Sequence, residues 1–161
     1  MTARVLLCVA AASLSLAACG GNDKPAACRA PVAQKIDPTS SQHLLPGAPE
    51  PVYTTNPPTS GAHAPGNYPT GVVTTPIAKP AQVAMLEAGG VLVQYRHPSP
   101  SDVRALGDFT RAHEGVTMAP NDSLESTIVA TAWVTVMECS RFSNDALQDF
   151  VAMHLGKIHG P

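Results

Sequence analysis

The order of segments in the second half of this 161-residue chain predicts an α+β fold. The expected architecture is a small mixed or antiparallel sheet with two helices packed against it, preceded by a proline-rich extended segment. Three observations carry this. Short β-branched runs recur between turn residues. Two segments show a helix start followed by apolar residues at helical spacing. Finally, twelve of the 16 prolines lie between Pro25 and Pro80, which leaves most regular structure to the second half of the chain.

Residues 1–18 read as a secretion signal, with Arg4 as the positive flank and an apolar run from Val5 to Leu16 that is too short to span a bilayer. Leu16-Ala17-Ala18-Cys19 resembles a bacterial lipobox, so Cys19 is the expected lipidation site. Residues 19–42, rich in proline, alanine and small polar residues, read as a tether, and residues 43–161 as a single domain. Cys8 would leave with the signal and Cys19 would be acylated. Cys28 and Cys139 then remain as a possible disulfide outside the cytoplasm, against the alternative of a buried Cys139 and an idle Cys28.

Within the domain, Gly71 to Thr75 reads as a strand, Ala81 to Ala88 as a helical turn or a loop, and Val91 to Arg96 as a strand. Ser99-Pro100-Ser101-Asp102 starts a helix whose apolar side holds Val103, Leu106 and Phe109. Val116 to Ala119 is a short strand, followed by a turn over Pro120-Asn121-Asp122-Ser123. Thr127 to Cys139 alternates as one long strand, covered on both faces and therefore expected to be central. Ser143 caps a last helix with Leu147, Phe150, Val151 and Leu155 on one side, stopped by Gly156.

The chemistry concentrates between Tyr53 and Tyr95. Pro57-Pro58 stiffens the chain, Ser60-Gly61 turns it, and His63 is delivered at a defined place. Glu87 stands just before a Gly89-Gly90 hinge that feeds the strand from Val91. The ordered motifs PPTSGAH, Gly71-Val-Val and LEAGGVLVQY resemble the bacterial domain-of-unknown-function family 3105, over roughly Gln42 to Pro161. The resemblance implies histidines at two positions where this chain has Ala84 and Ala88, while Ser60, His63, Glu87 and Gly89 remain as a motif site.

A net charge of −2 and a pI near 6.3 exclude strong attraction to nucleic acid. No HExxH, CxxC or His-x-His spacing occurs, and Met85, Met118, Met137 and Met153 read as core filler. Ser60 lies three residues before His63, but Ser-Gly in a proline-rich turn serves the turn, and no GxSxG signature supports a nucleophile. One histidine and one carboxylate are too few for tight zinc or copper, so neither metal nor cofactor is expected, and no catalytic residue is assigned. His63 and Glu87 are expected to meet as a structural hydrogen bond. The functional expectation is a lipid-anchored extracytoplasmic module, non-catalytic, that binds or supports. Its one legible partner is the membrane, through the lipid on Cys19. The alternative is a metal-binding protein or metal-dependent enzyme using His63 and Glu87, distinguished by a third ligand in an open cleft.

Overall fold

A computed structural model describes residues 25–66 and 68–158. The secretion signal and Cys19 lie outside the described residues. Among the described residues there are six strands and three helices. The strands are β1 (Val32–Ala33), β2 (Gly71–Val72), β3 (Val91–Tyr95), β4 (Val116–Pro120), β5 (Ile128–Ala132) and β6 (Thr135–Cys139). The helices are α1 (Lys79–Glu87), α2 (Pro100–Ala112) and α3 (Asn144–His154). The fold is α+β, with one mixed sheet in the order β1-β6-β5-β3-β4-β2.

Strand β3 sits inside the sheet, parallel to β4 on one side and antiparallel to β5 on the other. Helix α2 makes the crossover that a parallel β3–β4 pair requires. Its start is the one the local residues dictate: Ser99 accepts the Asp102 N–H at 3.1 Å, and Pro100 occupies the first turn. Ser143 likewise caps α3 by accepting from Ala146.

Both faces of the sheet are covered, and alternation along β3 shows how. Val91 and Val93 join Leu106 and Phe109 of α2, and Leu147, Phe150 and Val151 of α3, in one core cluster. Leu92 faces the other way, into a second cluster with Val83, Met85 and Leu86 of α1, Ile77 and Trp133. Tyr53 of the proline-rich segment packs against that second cluster. So α2 and α3 close one face, and α1 with the extended segment closes the other.

Three elements differ from the sequence reading. Ala81 to Ala88 is neither a loop nor a single turn but the body of α1, which makes three helices rather than two. Its Ala78 N-cap offers no side-chain hydrogen bond, and five consecutive residues, Gln82 to Leu86, are buried, so no amphipathic stripe advertises it. The long strand from Thr127 is a hairpin. A two-residue turn at Trp133-Val134 pairs Ala132 with Thr135 and puts Met137 on the same face as Ile128 and Ala130. The turn carries no glycine or asparagine, and Val134 adopts φ 49°, a conformation rare for a β-branched residue. Tertiary bonds hold it there: the Val134 N–H donates to Thr59 O at 3.0 Å, and Val134 O accepts from Gln34 N–H at 2.7 Å. The strand at Gly71 is also shorter than expected, ending at Val72.

Much of the segment assigned by composition to the tether belongs to the folded body. Val32 and Ala33 pair with Val136 and Thr135, and the Arg29 N–H donates to Glu138 O at 2.9 Å. Cys28 and Cys139, 111 positions apart, form a disulfide beside their own backbone bridge. The bond fixes the start of the segment to the end of β6. A closed loop of this length restricts the unfolded chain strongly. Replacing both cysteines with serine should therefore lower the unfolding free energy by about 2–4 kcal/mol in urea titration. Thiol trapping before lysis should find both cysteines oxidised in protein taken from cells.

Candidate functional site

The proline-rich segment reaches the sheet through a set of hydrogen bonds that position His63. Asp37 is buried, and its carboxylate accepts from both the Thr39 N–H and the Thr39 hydroxyl, at 2.9 and 2.6 Å. Burial pushes the Asp37 carboxyl up, but hydrogen bonds from Thr39 and Thr54 outweigh it and hold it below the ordinary value. The Asp37 N–H donates to Ser60 Oγ at 2.9 Å, and the Ala62 N–H donates to Thr39 Oγ1 at 3.0 Å. Ser60 is thus a buried acceptor that ties two stretches of chain together.

Gly61 is required by geometry. Its φ is 127°, and a Cβ there would come within 2.9 Å of the Tyr53 ring. That ring is anchored in turn, with its hydroxyl donating to Ala62 O at 2.7 Å. Burial, with the Glu50 and Asp37 carboxylates nearby, pushes the Tyr53 phenol up to about 12, so it stays a donor.

His63 is fully buried, and both ring nitrogens are used. Nδ1 donates to Gly61 O at 3.0 Å. Nε2 meets Glu87 Oε2 at 2.7 Å. A carbonyl oxygen only accepts, so Nδ1 carries a hydrogen, and one further proton is held between Nε2 and the carboxylate. Glu87 is presented by the end of α1. The Gly89 N–H donates to Leu86 O at 3.0 Å and the Gly90 N–H to Met85 O at 2.9 Å, the paired bonds of a Schellman motif. Gly89 has φ 84°, and a Cβ there would press on the Gly156 backbone at 3.1 Å. The expected meeting of His63 with Glu87 is therefore present, made by a glycine turn on one side and a glycine-capped helix on the other.

A third residue, which sequence reasoning missed, completes the cluster. His43 and His63 are partners in a parallel β-bridge, secured by His63 N–H to Gln42 O at 3.1 Å and Leu44 N–H to His63 O at 2.8 Å. Their rings meet edge to face, with centroids 5.1 Å apart. One ligand atom from each of His43, His63 and Glu87 falls within a common span of 4.8 Å. His43 is exposed, His63 buried and Glu87 between them. No motif surrounds His43 in the sequence, so only the bridge reveals its relation to His63.

A cleft of about 640 Å³ lies next to this cluster in the chain but is not lined by it. Its walls include Ala88, Gly89, His113 and Leu155, and not His43, His63 or Glu87. Of the two positions where the resemblance implied histidines, Ala84 is buried in α1 and Ala88 lines this cleft. Elsewhere the polar groups serve the frame. A buried relay runs from Gln82 Nε2 to Ile77 O at 2.7 Å and from Gln94 Nε2 to Gln82 Oε1 at 2.8 Å, and Asn121 donates to Gln94.

The fold and the site define an α+β protein whose extended segment is joined to a sheet-covering helix by the pairing of a buried His63 with Glu87. The chain belongs to the family described as protein of unknown function DUF3105, whose profile matches residues 49–161. His43 precedes the matched region. Comparison with curated proteins and with solved structures gave no match.

A charge-assisted hydrogen bond of this burial contributes about 1.5–3 kcal/mol. His63→Ala and Glu87→Ala should each destabilise by that order, because each strands its partner. The double variant should cost less than their sum in a thermodynamic cycle read by urea denaturation.

Proposed function

We propose that the protein is a lipid-anchored extracytoplasmic module that binds or supports rather than catalyses. The observation that carries the non-catalytic reading is how the motif residues spend their polar atoms. Ser60 Oγ accepts from the Asp37 backbone, while His63 Nε2 engages Glu87. A serine nucleophile needs the imidazole as its base, and here the ring is committed elsewhere. The same bonds hold the extended segment rigidly against α1, which suits a module that presents a fixed surface close to a membrane.

The anchor rests on Leu16-Ala17-Ala18-Cys19 and the short apolar run before it. No described helix is long and apolar enough to cross a membrane. A diacylglyceryl thioether on Cys19 would supply stable attachment, at about 0.8 kcal/mol for each buried methylene. With the disulfide at Cys28, the body would be pinned about nine residues after the lipid-bearing Cys19. Membrane contact would then be the first partnership, with any soluble protein or small molecule meeting the module at the bilayer surface.

Intact mass and detergent partitioning test this. The mature chain should begin at an acylated Cys19 and enter the detergent phase, and Cys19→Ser should move it to the aqueous phase. A wild-type chain with an unmodified amino terminus, or a Cys19→Ser chain that partitions identically, would contradict it.

A further inference from the structure

We infer that His43, His63 and Glu87 form a binding site for one divalent transition-metal ion of the zinc class. This goes beyond the anchored-module reading and does not depend on the lipid. Two imidazoles and one carboxylate make a donor set that suits zinc and its first-row neighbours, whereas magnesium and calcium favour all-oxygen sites. Two imidazoles and a carboxylate with an open fourth position for water form a recognised three-ligand zinc set.

The details fit an ion better than they fit a chance contact. His63 is already fixed in the tautomer a metal needs, because Nδ1–H is spent on Gly61 O and Nε2 faces the cluster. A carbonyl acceptor behind a coordinating imidazole is the usual outer-shell support. His43 is held beside it by backbone bonds on both sides of the bridge, so its proximity does not rely on side-chain chance. Metal–nitrogen distances of about 2.0–2.1 Å in a tetrahedron place ligand atoms about 3.3 Å apart. The ligand atoms here start within 4.8 Å of one another, with His63 and Glu87 at 2.7 Å. Loading an ion thus needs a small opening of the His63–Glu87 contact and a short swing of the exposed His43 ring. The proton held between Nε2 and Oε2 passes to water, and the ion takes its place.

His43 also lies outside the region matched by the family profile. The third ligand is therefore supplied by this chain's own N-terminal segment, which loading would bind more tightly to α1.

The test uses the full chain purified in detergent, stripped with a chelator and titrated with zinc by calorimetry. Cobalt(II) absorption serves as the readout of a tetrahedral site. One ion per chain is expected. His43→Ala should weaken zinc by tenfold or more while the metal-free variant still unfolds cooperatively, because the His43 side chain is exposed and the backbone bridge does not need it. His97→Ala, outside the cluster, should bind as wild type does. Absence of one-equivalent binding, or an affinity unaltered by His43→Ala, would overturn the site. Detergent partitioning of the same preparation separates the two ideas: a chain that partitions but binds no zinc overturns the metal site alone, and one that binds zinc but stays aqueous overturns the anchor alone.

Discussion

A histidine ring with no exposed surface must find a partner for each nitrogen inside the protein, and much of this structure is arranged around how His63 does so. One partner is the carbonyl two residues before it, which requires Gly61 in a conformation closed to other residues and a tyrosine ring packed where a side chain would be. The other is a carboxylate at the last position of α1, which requires that helix to stop at Glu87 and turn into β3. Without the ring, the extended segment would meet the sheet mainly through the Cys28–Cys139 disulfide, the β1 pairing, Tyr53 and the Val134 turn. The pair thus links the two halves of the chain.

The same constraint explains the irregular first half. A segment so rich in proline cannot form ladders of its own, so its backbone groups must be satisfied one at a time. Asp37, Thr39 and Ser60 do this by bonding across 23 positions, and the Val134 turn does it by exchanging backbone bonds with Thr59 and Gln34. Val134 tolerates its left-handed conformation because the surroundings fix the turn from two directions. Fold and site are in this sense one object: the segment that carries His43 and His63 also closes the second core cluster.

Parts of this were legible in the residues. The Ser99 and Ser143 caps, the β3 and β4 runs and the glycine stop at Gly156 arise from local chemistry that needs no knowledge of the far chain, and the meeting of His63 with Glu87 was legible as two motif segments, each ending in a fixed turn. The misses share a different cause. Helix α1 is buried along most of its length and lacks a side-chain cap, so the usual periodic signal is absent. The hairpin at Trp133-Val134 continues an apolar alternation without any turn residue, because distant backbone bonds hold the conformation that glycine would permit locally. His43 belongs to no motif, and its place beside His63 exists only once the parallel bridge forms. Composition also hid the fact that residues from Cys28 onward join the sheet, since proline-rich sequence reads alike whether it is pinned or free.

The central claim is that the His63 ring locks an otherwise irregular segment into the cooperative unit of the domain. Native-state hydrogen exchange at the amides of His63 and Leu44 addresses it directly, because both N–H groups bond across the bridge that pairs His43 with His63. These amides should exchange only on global opening, with the same protection as the β3 amides. Exchange at the rate of an open loop, while β3 stays protected, would show that the segment moves independently and would contradict the claim.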